Sequence, residues 1–245
     1  MLYDLIKGKV YCKIFDKSFK LSNGMYNKFK EYEEITQRTI KNNIESVKQS
    51  LGTSDIFLMK QVHGNNIVLV DHTTNLQSVY EADASVTLEK NITLGITSAD
   101  CVPVLLSSLD GKVIGAIHCG WKSARLNIVD KVVELIYKLG GSSVKAFIGP
   151  AIKQKSYEVD KNFYQDFLLE TNENRFFFAK GNRPNHYIFD LVAYVENKLL
   201  KNGVEILFKS PDDTYSMEEK YPSFRRHTHN KELYNTNILS TISIK

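Results

Sequence analysis

The spacing of hydrophobic positions changes along the chain, and each change marks a different element. Between Asn27 and Leu51, the residues Ile40, Ile44, Val47 and Leu51 recur at intervals of four and three, which places them on one face of a helix that Gly52 ends. From Ile56 to His118 the texture turns to short apolar runs rich in Val, Ile and Thr: IFLMKQV, NIVLVD, ASVTLE, ITLGITS, VPVLLSS and KVIGAIH. These predict six strands. Asp110-Gly111, between the last two, is the dipeptide favoured by a tight type I′ hairpin, so that pair is predicted antiparallel with Cys101 and His118 near its open end.

Helical spacing returns from about Ser123 to Leu139, where Val129, Val132, Val133 and Ile136 share a face and Gly140-Gly141 stops the helix. A strand VKAFIG follows, then a helix from Asp160 to about Glu170, strands at FFFAK and HYIFD, and a helix capped by Asp190 with Val192, Val195 and Leu199 inward. EILFKS and Ile238 to Ile244 predict the last strands. No repeat, linker or Pro/Gly/Ser-rich break divides residues 1–245, so the pattern predicts one α+β domain with helices covering mixed sheets.

Composition removes whole classes of function. A chain of 245 residues that is 42% hydrophobic and 24% charged is neither disordered, collagen-like nor a disulfide scaffold. Its 32 Lys and Arg against 28 Asp and Glu leave a net charge of +4, too small an excess for a nucleic-acid partner without a clustered stripe. One basic cluster exists, Arg225-Arg226 followed by His227 and His229, which reads either as a solvated turn or as an anion contact. Cys12, Cys101 and Cys119 are odd in number and far apart, which suits a reducing compartment. With no apolar leader and no apolar run longer than Val102 to Leu106, a cytoplasmic protein without a membrane partner is expected.

Reactive side chains concentrate in three segments at strand ends: Lys60 to Asn65, Thr97 to Pro103, and Ala116 to Trp121. Gly64 directly follows His63 and Gly120 stands two residues after His118, positions where a missing Cβ lets backbone turn and a ligand approach. His63, Cys101 and His118 would offer two imidazoles and a thiolate, a zinc-type donor set with one position left open. Spacings of 38 and 17 residues match no short zinc motif, so two other readings stand beside this one: hydrogen-bonded core histidines with an inert cysteine, and a Cys–His nucleophile and base. Cys119 is a rival ligand, but strand alternation points it away from the face of His118. The H-E-x-x-H, G-x-S-x-G, P-loop, dinucleotide-binding and base-deaminase motifs are all missing.

The order of Gln61 to Gly64, Ala82-Asp83-Ala84, Thr97 to Leu106 (TSADCVPVLL), His118 to Trp121, Ile148 to Ile152 and Pro222 to Arg226 (PSFRR) resembles the YfiH-like, or laccase-domain, family over most of the chain. The resemblance implies a four-layer α/β/β/α sandwich with mixed sheets and a zinc ion held by His63, Cys101 and His118, a site that copper could also take. It implies phosphorolysis of adenosine, guanosine and 5′-methylthioadenosine, with phosphate, to base and pentose 1-phosphate, together with adenosine deamination. Arg225 and Arg226 are then candidates for phosphate or substrate, and Asp83 and Asp100 candidates for proton transfer or for orienting a histidine.

Relatives also suggest two alternatives, an editing hydrolase acting on peptidoglycan precursors and a copper-dependent polyphenol oxidase. Six histidines are too few for a full laccase centre once two serve this site. The chain departs from the family pattern at both ends. Leu21 to Met25 stands where relatives have Gly-Gly-x-Ser, Asn43-Ile44 where they have Asn-Arg, and the cysteine before the Arg-Arg pair and the Thr-Gly-Arg after it are missing. An intact metal centre with an altered substrate periphery is therefore expected.

Overall fold

The computed structural model describes residues 2–17, 34–232 and 236–245. The chain begins with β1 (Leu2–Ile6), β2 (Val10–Phe15), α1 (Glu34–Leu51), β3 (Asp55–Phe57), β4 (Ile67–Val70) and β5 (Ala84–Thr87). It continues through β6 (Ile92–Ser98), β7 (Val102–Ser107), β8 (Ile114–Cys119), α2 (Trp121–Arg125), α3 (Ile128–Lys138) and β9 (Lys145–Ile148). The last part holds β10 (Glu158–Asp160), α4 (Lys161–Leu168), β11 (Phe178–Lys180), β12 (His186–Phe189), α5 (Leu191–Lys201), β13 (Glu205–Lys209), α6 (Phe224–Asn230) and β14 (Ile238–Ile244).

Two mixed sheets carry the fold. One runs β1-β2-β14-β6-β3, antiparallel except where β3 lies parallel to β6. The other runs β13-β9-β7-β8-β5-β4, antiparallel at its centre and parallel in its outer pairs. A small antiparallel sheet, β10-β12-β11, stands apart.

Alternation along β7 shows how the layers stack. Val102, Val104 and Leu106 join a core with Val129, Val132, Val133 and Ile136 of α3 and Val192, Val195 and Leu199 of α5. Leu105 points the other way, into a second core with Leu94, Ile96, Ile114, Ala116 and Ile242 between the two sheets. On the far side of the five-stranded sheet, Val47 of α1 packs with Phe15, Ile56, Leu58 and Leu239, and Ile44 and Leu51 lie against them. The order is thus α1, sheet, sheet, α3 with α5, the expected four layers. Strands β5, β7 and β8 are buried on both faces, which is why they read as unbroken apolar runs.

Four local expectations change. The β7–β8 connection is a wider loop: Ser108 N–H reaches Val113 C=O, and only Gly111 has positive φ there, whereas a type I′ turn needs two such residues. Asp110 instead accepts from Ser108 Oγ at 2.6 Å and Lys112 N–H at 3.1 Å. The helix expected from Ser123 to Leu139 breaks at Asn127, a left-handed residue (φ 58°) between α2 and α3. FFFAK starts within a 3₁₀ turn, Asn172–Phe177, and only Phe178–Lys180 pairs. Strands β1 and β2 form a hairpin that the apolar pattern does not predict, turning at Gly8 (φ 71°). The start of the first helix, from Asn27, lies outside the described residues.

Since Leu105 and Leu106 fill different cores from one strand, Leu105→Ala and Leu106→Ala should each lower unfolding free energy by about 2–5 kcal/mol. Urea denaturation checks this, and an unchanged midpoint for either would contradict burial on both faces of β7.

Candidate metal centre and its cavity

His63, Cys101 and His118 meet with their ligand atoms all within 4.8 Å of one another. His118 is the next-to-last residue of β8 and shares the inter-sheet side with Ile114 and Ala116. Cys119, one residue on, is buried on the helix side, and burial pushes its thiol far above the ordinary range. Alternation has therefore separated the two candidate neighbours as expected. Cys101 enters just before β7, and the pairs Val102 with Cys119 and Pro103 with His118 bring it level with the end of β8. His63 sits in the turn between β3 and β4 at φ 58°, with its ring 4.9 Å from that of His118 and its Nε2 3.8 Å from Cys101 Sγ. Gly120 leaves room for the group: a Cβ there would lie 2.9 Å from His63 Cδ2 and 3.1 Å from Cys101 Sγ.

One carboxylate organises two of the three. Asp83, fully buried, accepts the N–H groups of Val62 (3.2 Å), His63 (2.9 Å) and Gly64 (2.6 Å), which holds His63 in its left-handed conformation. Its Oδ1 also lies 2.8 Å from His118 Nδ1, leaving Nε2 of that ring for the centre. Burial works against the charge on Asp83, yet the bonds from His118, Gly64 and Val62 win and hold its pKa below the usual carboxylate value. Each such bond to a charged group is worth about 1.5–3 kcal/mol, so several together exceed the desolvation cost.

The same balance charges the centre itself. Burial alone would raise the Cys101 thiol, but the His118 charge and hydrogen bonds with both histidines bring it down to about 6. Burial would lower His118, but Cys101 and Asp83 raise it to about 9. Near neutral pH the group is a thiolate beside an imidazolium. Two imidazoles and a thiolate, one ring backed by a carboxylate and a glycine clearing the space beside them, fit a metal ion with a position left open.

The centre lines a cavity of about 500 Å³ that Asp100, Tyr157, Phe224, Arg225 and His229 also line. Asp100, at φ 87°, accepts Thr214 Oγ1 (2.7 Å), Ser223 Oγ (2.9 Å) and the Arg225 N–H (2.7 Å), so it ties the turn before Cys101 to the start of α6. Burial raises its pKa against those bonds. The two aspartates differ in placement: Asp83 does not line the cavity, whereas Asp100 does, with both carboxylate oxygens accepting hydrogen bonds from Thr214, Ser223 and Arg225.

The two arginines separate. Arg225 lines the cavity, with its guanidinium 4.9 Å from the Tyr157 ring centre and Nη1 donating to Glu158 C=O at 3.1 Å. Arg226 is buried, does not line that cavity and spends its guanidinium on the carbonyls of Thr214, Tyr215 and Tyr221, as a strut of the fold. Tyr157 and Phe224 had no signal of their own in the sequence, while His229 stood in the basic cluster that reads as a possible anion contact.

The family described as multi-copper polyphenol oxidoreductase laccase matches residues 14–237. The chain belongs to that family. Among relatives of this laccase-domain protein, a purine nucleoside phosphorylase of Rickettsia conorii is 46% identical over 98% of this chain and 99% of its own length. The purine nucleoside phosphorylase YfiH of Escherichia coli is 26% identical over 69% and 67%. In fold, the Neisseria meningitidis protein NMB0706 superposes with a TM-score of 0.82 at 21% identity, covering 100% of this chain and 98% of that one. Bacillus licheniformis YfiH gives 0.81 at 22%, covering 96% and 93%.

Two outcomes follow for this laccase-domain centre. Gly120→Ala should weaken retention of an added divalent metal ion at least about 10-fold, because the new methyl displaces His63 or Cys101; chelator competition on the folded variant measures it. A metal ion needs the thiolate and both imidazoles neutral. Above about 6 Cys101 is already ionised, while His118 keeps a proton up to about 9. Affinity for a divalent metal ion should therefore rise about tenfold per pH unit across that window, one proton leaving per ion, and more steeply below it. A flat profile in the same competition experiment would overturn the protonation states.

Proposed function

We propose that this chain is a purine nucleoside phosphorylase with one zinc ion held by His63, Cys101 and His118. The observation that carries the reading is a three-ligand centre that lines the same cavity as Arg225. The similarity to relatives named for this activity supports it. The substrates are adenosine, guanosine and 5′-methylthioadenosine with phosphate, and the products are base and pentose 1-phosphate. Hydrolytic deamination of adenosine is the accompanying activity.

When bound, zinc supplies a Lewis acid that attracts anionic oxygen and makes water more acidic. The protein's own groups do the rest. Arg225, steadied on Tyr157 and Glu158, holds phosphate oxygens in place as positive charge builds at C1′. Asp83 keeps His63 and His118 aimed, and Asp100 keeps α6, and so Arg225, against the cavity. Phe224, 57% exposed, offers a flat apolar face of the kind that a purine ring packs against.

The family's description names copper, and the count of histidines decides against a multi-copper centre. Of the six, His72, His186, His227 and His229 stand outside the triad, which is the one cluster of ligand type among the described residues. A coupled copper cluster needs more imidazoles brought together than that.

The zinc-loaded protein should release adenine from adenosine only when phosphate is supplied, with ribose 1-phosphate as co-product. Arg225→Ala should raise KM for phosphate by about 10-fold or more while leaving zinc content intact. Chromatographic product analysis checks both, and base release at the same rate without phosphate would sink the phosphorylase reading.

A further inference from the structure

Cleavage at C1′ leaves the bonding electron pair on the purine, so the reaction needs a proton donor at the base as well as an anion at the sugar. The titratable groups around the cavity narrow to one. His63, Cys101 and His118 are turned on each other. Asp100 has both carboxylate oxygens occupied. Arg225 does not give up a proton at any working pH. The Tyr157 phenol, raised by burial, is a poor acid.

His229 remains. It lines the cavity from α6, one turn beyond Arg225 and on the same side of that helix. Its Nδ1 lies 3.0 Å from Tyr215 Oη, and the two rings meet edge to face with centroids 5.6 Å apart. That contact fixes the imidazole and leaves Nε2, which no other described residue takes, as the nitrogen available to a ligand. Phe224, one turn before Thr228 on α6, lines the same wall.

Resting on the phosphorylase reading above, we propose that His229 is the general acid that protonates the departing purine. As a phosphate oxygen bonds to C1′, the C1′–N9 bond breaks and its electron pair passes into the base. Nε2–H of the imidazolium delivers its proton to the purine ring, at N7, while Nδ1–H donates to Tyr215 Oη. The proton carried by hydrogen phosphate, released as the ester forms, restores the imidazolium. A purine already alkylated at N7 departs as a neutral base and needs no such proton.

The test compares guanosine with 7-methylguanosine in the zinc-loaded wild type, His229→Gln and Tyr215→Phe. Gln keeps an N–H donor but transfers no proton. Expected for His229→Gln is a fall in kcat of at least about 100-fold for guanosine with little change in KM, and near wild-type kcat for 7-methylguanosine. Tyr215→Phe should show a smaller loss confined to guanosine. Equal losses on both substrates, or undiminished guanosine turnover in His229→Gln, would overturn the assignment and leave the phosphorylase reading standing. A wild type that splits neither nucleoside in phosphate would overturn both.

Discussion

The Asp83 carboxylate is the interaction on which the site depends. It sits at the entrance to β5, fully buried, and its oxygens gather three successive N–H groups from the His63 turn and the Nδ1 edge of His118. Its own carbonyl accepts the His118 N–H at 2.7 Å. A buried charge without partners would cost several kcal/mol, so the turn and the strand end are held to whatever geometry satisfies it. That geometry puts His63 in a left-handed conformation that a histidine seldom adopts, and it selects which nitrogen of His118 faces the thiol.

Two-sided burial supplies the rigid frame. The central strands of the six-stranded sheet face helices on one side and the second sheet on the other, so their ends cannot shift without disturbing two cores. The reactive residues lie at those ends, where backbone leaves the ladder and side chains can reach a cavity. Asp100 extends the frame across more than a hundred residues of sequence. By accepting from Thr214, Ser223 and the Arg225 N–H, it pins α6 over the centre. The turn that delivers the thiol therefore also delivers the helix carrying Arg225 and His229.

Charge balance within the triad prepares it for an ion. With Cys101 lowered to about 6 and His118 raised to about 9, the pair stores one positive and one negative charge side by side, and exchanging a single proton for a cation leaves three neutral-or-anionic donors. Cys119, one residue from His118, takes no part, because the β8 pleat turns it into an apolar core where a thiolate is unfavourable.

Much of this was legible in the chain. The apolar spacing of Ile40 to Leu51 and Val129 to Ile136, the strands from Ile92 to His118, and the caps Asp160 and Asp190 follow from local rules of period and termination, which neighbours within a few residues decide. The motif order brought His63, Cys101 and His118 together before any coordinates did. Local rules could not say which aspartate orients a ligand and which anchors a helix, or that Arg225 faces a cavity while Arg226 braces three carbonyls. Nor could they place His229 and Phe224 at the same wall as Cys101. Those outcomes rest on hydrogen bonds outside any one element, from Arg226 with Tyr221, 5 positions apart, to Asp100 with Arg225, 125 apart. Their energy depends on burial and direction, which exist only once the sheets have stacked.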